Sequence, residues 1–137
     1  SSFSPIATSE TGAKGLMQLM PDTAEQLASE LAIDMVGEEE LYQPELNIQL
    51  GVYYLSKLMK EFDGNHVFAL AAYNAGVNKA KEWASAGQTV SDERSDMEKI
   101  GFPATAEFVK KVMKTYKRFK SVRKLKRYLQ YPGESEK

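Results

Sequence analysis

The spacing of apolar residues is the feature that most constrains the fold of this chain. Apolar residues recur three or four positions apart, within segments that begin or end near glycine and proline. A period of about 3.6 residues places such side chains on one face of an α-helix, whereas a half-buried strand would alternate them. The sequence therefore predicts a mostly α-helical fold.

Helices are predicted in five segments: residues 22–31, 44–62, 67–75, 78–86 and 105–129, the last as one helix or two. Asp22 and Glu25 form a capping-box pattern at the start of the first helix. Asn65 is placed to cap the third helix, and Gly64 and Gly76 are placed to end the second and the third. Two stretches rich in polar or turn-forming residues are predicted to be loops: 1–21 and 87–99.

The composition excludes several classes of protein. A chain of 137 residues can bury a single core without metal or disulfide staples. It contains no cysteine, which excludes a disulfide scaffold, a Cys-ligated metal site and a thiol nucleophile. The single histidine gives no basis for a metal site, and no cofactor is expected. No apolar stretch approaches the roughly 20 residues that span a bilayer, so we expect any export signal or anchor to lie outside these residues.

The basic charge is concentrated near the C-terminus. Residues 1–109 carry a net charge of −10 and residues 110–137 a net charge of +9. The segment from Lys110 to Arg127 is interpreted either as a solvated helix face or as a surface attracted to an anionic envelope polymer or a membrane. Nucleic acid is not expected as a partner, because no recognition motif or interleaved aromatic pattern accompanies the charge.

Two placements of polar residues suggest a binding site. Gln18 lies within Leu-Met-Gln-Leu-Met, where its amide needs either a nearby backbone partner or a ligand. Tyr73 and Asn74 end the most apolar helical segment, just before Gly76. They are interpreted either as a core tyrosine beside a helix C-cap or as ligand-binding groups.

Considered together, several blocks of sequence resemble the SLT lytic transglycosylase family. These blocks are Ser-Ser-Phe-Ser-Pro at 1–5, Gly-Ala-Lys-Gly-Leu-Met-Gln-Leu-Met-Pro at 12–21, Asn-Ile at 47–48 and Ala-Ala-Tyr-Asn-Ala-Gly at 71–76. The resemblance implies a lysozyme-like (goose-type/SLT) helical domain over residues 1–116, followed by a basic C-terminal helix and a frayed tail over 117–137. It also implies cleavage of the bond between N-acetylmuramic acid and N-acetylglucosamine in peptidoglycan, with formation of a 1,6-anhydro end. A periplasmic or envelope location in a bacterium is expected.

The resemblance also implies roles for individual residues. In this family one glutamic acid, kept protonated by an apolar site, donates a proton to the glycosidic oxygen. By position, Tyr73 is expected to hydrogen-bond that carboxyl group, and Asn74 and Gln18 to contact the sugar. Met20 is expected to shape the cleft and Ser9 to lie near the acetamide. We expect all of these residues to line one sugar groove.

The sequence departs from the family pattern in two places. The family's catalytic glutamate would immediately precede Ser1, so no catalytic acid is expected among these residues, and the N-terminal helix would come from upstream sequence or from a second chain. Ala104 and Phe108 stand where the family usually has glutamate and tyrosine. These departures keep two alternatives open, a non-catalytic peptidoglycan-binding scaffold and a hydrolytic lysozyme on the same fold.

Overall fold

The computed structural model describes residues 4–86 and 91–129. Within these ranges the backbone forms helices and loops, with no strand beyond isolated bridges. The chain divides into two units, Ser1–Gly64 and Asn65–Lys137. The prediction of a mostly α-helical fold is confirmed.

Two helices and a short 3-10 turn form the first unit: α1 (Pro21–Glu30), the turn (Glu38–Tyr42) and α2 (Pro44–Glu61). Both helices begin with proline, whose missing N–H has no intrahelical partner at that position. Helix α1 contacts α2, and the 3-10 turn packs against both. The apolar side chains buried in this unit are those of Leu19, Ala24, Leu27, Ala28, Leu41, Leu50 and Leu58.

Helix α2 buries a face that its apolar spacing did not single out. Besides Leu50 and Leu58, the residues buried in this helix are Asn47 and Gly51. Ile48 and Val52, which belong to the apolar stripe in the sequence, remain 43% and 55% exposed. The helical prediction is confirmed, and the part of the stripe formed by Ile48 and Val52 stays exposed. The helix is followed by Gly64 at φ +82°, as predicted.

Four helices form the second unit: α3 (His66–Ala75), α4 (Val77–Ser85), α5 (Glu93–Glu98) and α6 (Pro103–Leu129). Helix α3 contacts each of the other three. Its residues 67–72 are all buried, as expected for a segment that is apolar on every side. The other apolar residues buried in this unit are Ala80, Trp83, Ile100, Val109 and Met113.

The predicted ends of α3 are confirmed. The Asn65 side chain accepts a hydrogen bond from Phe68 N at 3.1 Å and so caps the helix. Gly76, at φ +97°, ends α3 and is also the residue that precedes α4. Its N–H donates to Ala72 O at 2.8 Å. A left-handed φ of this kind favours glycine, which explains why the chain can turn within a single residue.

Two local predictions are wrong. The side chain of Asp22 does not cap α1, because the helix begins one residue earlier and Met20 is the N-cap residue, without a side-chain bond. Part of the predicted loop 87–99 is helix α5, which Asp92 caps by accepting from Ser95 N at 2.8 Å. A six-residue helix is too short to show an apolar period. Residues 91, 92 and 99 are not helical, as predicted, and residues 87–90 lie outside the described residues.

Helix α6 is a single helix, and those of its described side chains that are buried lie in its first half. Buried residues of this helix occur at Thr105, Val109 and Met113, and every residue from Lys114 to Lys124 is exposed. The predicted domain boundary between residues 116 and 117 falls within this helix and stays a prediction. No described helix combines the length and the low charge that a membrane span requires.

Candidate functional site

Backbone hydrogen bonds fix the loop over residues 8–20, which carries three of the predicted site residues. Lys14 N donates to Leu19 O at 2.8 Å, and Leu19 N donates back to Lys14 O at 3.0 Å. Gly15 N donates to Ala7 O at 2.8 Å. The loop therefore holds a defined conformation without being part of a helix or an extended strand.

Asn47 of α2 anchors this loop and is fully buried. Its Oδ1 accepts from Met17 N at 2.6 Å, and its Nδ2 donates to Lys14 O and to Leu41 O, both at 2.9 Å. One amide thus joins the loop, the 3-10 turn and α2. Sequence reasoning assigned Asn47 no role, although a polar residue on the side of an apolar helix is a signal that could have indicated one.

Two glycines allow the loop to approach α2 closely. Gly15 has φ +76°, and a Cβ atom there would overlap the Asn47 amide and the Leu41 carbonyl oxygen. At Gly51 of α2 a Cβ atom would lie 2.7 Å from Cβ and Cγ of Met17. Both glycines are therefore required by packing.

Gln18 projects from this loop and is exposed. Its Nε2 donates to Gly15 O at 2.8 Å and to Ala7 O at 3.4 Å, which confirms the interpretation that nearby backbone satisfies the amide. The residue adopts φ +49°, an uncommon conformation for a residue with a side chain. Its Oε1 accepts no hydrogen bond from the described residues and can accept one from a ligand hydroxyl.

Ser9 and Met20 lie at the two ends of the same loop. Ser9 Oγ accepts from Ala13 N at 2.9 Å and lies 3.0 Å from Thr11 Oγ1, so the hydroxyl stabilises the loop. Met20 is 42% exposed directly before α1, where its side chain can contact a ligand. Neither position conflicts with its expected role.

A polar cluster holds the opposite side of the loop against the 3-10 turn. Lys14 Nζ donates to Tyr42 Oη at 3.1 Å and lies 3.7 Å from Glu38 Oε1. Tyr42 Oη is 2.6 Å from Thr8 Oγ1. The hydrogen bond to Tyr42 raises the pKa of Lys14, and those from Thr8 and Lys14 lower the pKa of Tyr42. Lys14 is therefore charged at neutral pH, and its ammonium group lies between the Tyr42 hydroxyl and the Glu38 carboxyl group.

Tyr73 and Asn74 occupy the last turn of α3 in the second unit. Tyr73 is half-buried and Asn74 is exposed. Thr105, which is 2% exposed, donates from Oγ1 to Asn74 Oδ1 at 2.7 Å. Gly76, not Asn74, is the C-cap of α3, and the Asn74 carbonyl oxygen is held by Thr105 of α6, so its Nδ2 group can donate to a ligand. Sequence reasoning quoted Thr105 as part of a motif but gave it no role.

The two altered family positions lie in the first turns of α6. Ala104 is exposed and Phe108 is half-buried. Glu107, which could have replaced the missing carboxylate from one turn further along, lies 4.0 Å from Lys111 Nζ with its side chain 62% exposed. Glu107 therefore forms an ion pair with Lys111 on the surface of α6.

The predicted site residues thus fall into two groups. Ser9, Gln18 and Met20 share one loop of the first unit, and Tyr73 and Asn74 share one helix end of the second. That both groups line a single groove stays a prediction. No group of three or more potential metal-ligating side chains is present in residues 4–86 and 91–129.

The comparison with protein families decides the identity of the chain. The family described as transglycosylase SLT domain matches residues 1–95. The chain belongs to this family. The SLT family resemblance stated from the sequence is therefore confirmed.

Relatives and solved structures agree with this assignment. The SLT domain is 38% identical over 114 residues to a protein named soluble lytic murein transglycosylase from Salmonella typhimurium, covering 82% of this chain and 18% of the relative. An inactive variant of the lytic transglycosylase Slt from Pseudomonas aeruginosa matches with a TM-score of 0.72 and 38% identity, over 80% of this chain and 18% of that one. The 70 kDa soluble lytic transglycosylase from Escherichia coli gives a TM-score of 0.73 and 34% identity with the same coverage.

These comparisons confirm the lysozyme-like helical fold of the SLT domain. The chain spans about a fifth of the length of the relatives that it matches.

Proposed function

We propose that this SLT domain is the sugar-binding and catalytic part of a lytic transglycosylase acting on peptidoglycan in a bacterial cell envelope. The observation that carries the proposal is the anchored loop of residues 8–20. It presents an exposed Gln18 whose carbonyl oxygen is unused within the described chain. A preorganised polar group of this kind suits recognition of a sugar hydroxyl, because its orientation is fixed before binding.

In the proposed reaction an upstream glutamic acid donates its proton to the glycosidic oxygen between N-acetylmuramic acid and N-acetylglucosamine. The sugar's acetamide stabilises the positive charge that develops, as in substrate-assisted glycosidases. The resulting carboxylate then takes the proton of the 6-hydroxyl, whose oxygen closes the 1,6-anhydro ring. No water is consumed.

The residues of this chain bind and orient the substrate in that scheme. Gln18 and Asn74 contact sugar hydroxyls, Met20 shapes the cleft and Ser9 lies beside the acetamide. Tyr73 hydrogen-bonds the catalytic carboxyl group. The Thr105 hydroxyl supports this arrangement because it donates to Asn74 Oδ1, which leaves the amide nitrogen as the group that can donate to a sugar.

The helix that carries the glutamate is proposed to pack on the uncovered side of α2. Ile48 and Val52 are 43% and 55% exposed there. Burying a fully exposed side chain of this size contributes about 1.5–3 kcal/mol, so a covering helix would be stabilised by these contacts. The helix would come from upstream sequence or from a second chain.

The test uses a protein in which the expected glutamate precedes Ser1, incubated with purified sacculi. Mass spectrometry should detect muropeptides ending in anhydro-N-acetylmuramic acid, and replacing that glutamate by glutamine should abolish them. Gln18→Ala should reduce the rate by about tenfold or more, as expected when an oriented hydrogen bond to substrate is lost. Gln49→Ala, at an exposed position of α2, is the matched control. Reducing ends in the products would favour the hydrolytic lysozyme instead.

A specific observation favours the non-catalytic scaffold as the second candidate. Ala104 and Phe108 lack the polar groups of the family pattern, and Glu107 is paired with Lys111. If the scaffold function holds, the protein with its upstream glutamate binds sacculi without releasing anhydro products. Activity that appears only after Ala104→Glu and Phe108→Tyr would show that these two positions removed catalysis.

A further inference from the structure

The second half of helix α6 is largely exposed, and it touches the rest of the unit through the Tyr116 ring, whose centroid lies 5.4 Å from that of His66, and through the ion pair of Lys117 with Glu93. All residues from Lys114 to Lys124 are exposed, which amounts to about three helical turns. Isolated helices of this length are marginal in water, since most helical stability in proteins comes from packing of one face. This segment therefore gains stability from any surface that covers it.

The charge of the segment limits what that surface can be. Ten basic residues and no acidic residue occur between positions 110 and 127. Lys117 Nζ lies 2.6 Å from Glu93 Oε1, and Lys111 Nζ lies 4.0 Å from Glu107 Oε1. Seven basic residues whose side chains the structure describes form no ion pair within residues 4–86 and 91–129. They are Lys110, Lys114, Arg118, Lys120, Arg123, Lys124 and Arg127. An anionic surface complements them.

Exposed apolar residues accompany these charges. Tyr116, Phe119 and Val122 are 43%, 70% and 46% exposed and follow one another at intervals of three residues. Positions three apart are neighbours on a helix surface, so the three side chains form one oblique stripe. A polyanion is bound by charge alone, whereas helices that lie in a membrane interface combine Lys and Arg with Phe and other apolar residues.

We propose that the α6 extension, residues 114–127, binds an anionic phospholipid surface. Phe119 and Val122 enter the headgroup region, and basic side chains around them contact lipid phosphates. The proposal does not depend on the reaction proposed above, because none of these residues belongs to the candidate sugar site.

The experiment measures flotation of the protein with vesicles of phosphatidylcholine containing 30% phosphatidylglycerol, and with pure phosphatidylcholine vesicles. Binding should require phosphatidylglycerol and weaken with added salt. Neutralising Arg118, Arg123 and Lys124 to glutamine should weaken binding about fivefold per residue, hence on the order of a hundredfold in total. Phe119→Ser should weaken it by roughly tenfold.

Two controls keep the result interpretable. Replacing Lys60, Lys79 and Lys81 by glutamine removes the same charge from exposed sites outside α6 and should leave binding nearly unchanged. Circular dichroism should show the Phe119→Ser protein folded, since the side chain is 70% exposed. The fluorescence of the Phe119→Trp variant should also shift to the blue when phosphatidylglycerol vesicles are added. The parent protein, whose single tryptophan is the buried Trp83, should show no such shift.

Three outcomes would overturn the proposal. Absence of binding to phosphatidylglycerol vesicles excludes it directly. Equal binding by the Phe119→Ser protein indicates attraction to any polyanion rather than a lipid interface. A third contrary result is a dimer that forms with rising concentration in sedimentation and is abolished by the same α6 substitutions, without any vesicle binding. The partner of the α6 extension would then be the acidic part of a second copy of this chain.

Discussion

Replacement of Asn47 by alanine should destabilise the protein more than any exposed substitution, because one buried side chain makes three hydrogen bonds. The substitution removes the acceptor of Met17 N and the donor to the carbonyl oxygens of Lys14 and Leu41. Each bond contributes about 1 kcal/mol, and the buried groups left behind add a desolvation cost. The expected loss in the free energy of unfolding is about 3–4 kcal/mol, or roughly 10 °C in Tm.

The assay is urea unfolding followed by far-ultraviolet circular dichroism, with Asn78→Ala at an exposed position of α4 as the control. The control should change stability by less than about 0.5 kcal/mol. Asn47→Asp supplies a second test. It keeps the acceptor for Met17 N but turns a carboxylate oxygen toward two carbonyl oxygens.

Burial and these neighbours should raise the folded-state pKa of the introduced aspartate above its unfolded value of about 3.9. The protonated form is then favoured by folding. The variant should therefore be least destabilised below pH 4 and should lose stability as pH rises through the folded-state pKa. A loss below about 1 kcal/mol for Asn47→Ala, or no pH dependence for Asn47→Asp, would refute the assignment of Asn47 as the anchor of the loop.

Three further substitutions test other contacts. Gly15→Ala should destabilise the fold by several kcal/mol in urea unfolding, because φ is +76° and the new methyl group would overlap a backbone carbonyl oxygen. Thr105→Val should cost about 1–2 kcal/mol and reduce any sugar affinity, since it removes the donor to Asn74. The hydrogen bond from Lys57 lowers the pKa of Glu30 in the folded protein. The stabilisation that this bond gives is therefore present above the pKa of Glu30 in the unfolded chain and is lost as the pH falls through the folded-state pKa. The unfolding curves of Glu30→Gln and the parent protein should therefore converge at low pH.

Each of these predictions has a contrary result. Wild-type stability for Gly15→Ala would mean that the loop relaxes away from α2. Unchanged affinity after Thr105→Val would separate the Asn74 orientation from sugar binding. A stability difference between Glu30→Gln and the parent that persists at low pH would show that the Lys57 contact is not the cause.

Helical spacing was sufficient to predict most of the fold but not which helix face is buried. In α2 the apolar stripe containing Ile48 and Val52 predicted a helix correctly, yet the unit buries the neighbouring side with Asn47 and Gly51. The helical period of the apolar residues is compatible with burial of either side of α2. The choice depends on how closely another segment can approach, and here the glycine decides it.

The candidate site was predictable where it depends on local chemistry. Gln18 was singled out as an amide in an apolar run, and its backbone partners lie only three and eleven residues away. Asn47 and Thr105 were not assigned roles, because the loop partners of Asn47 are 30 and 33 residues distant in sequence and the partner of Thr105 is 31 residues distant. Contacts of this separation follow from tertiary packing, which a single sequence does not encode as a periodic pattern.

The joint at Gly76 makes the register of α4 sensitive to chain length. One residue ends α3 and precedes α4, so no spacer absorbs an added amino acid. Inserting one residue after Gly76 would turn the following helix by about 100° about its axis. Ala80 and Trp83 would then leave the interior together. This corner should therefore tolerate neither insertion nor deletion, even though Gly76 itself has no side chain that could touch a sugar.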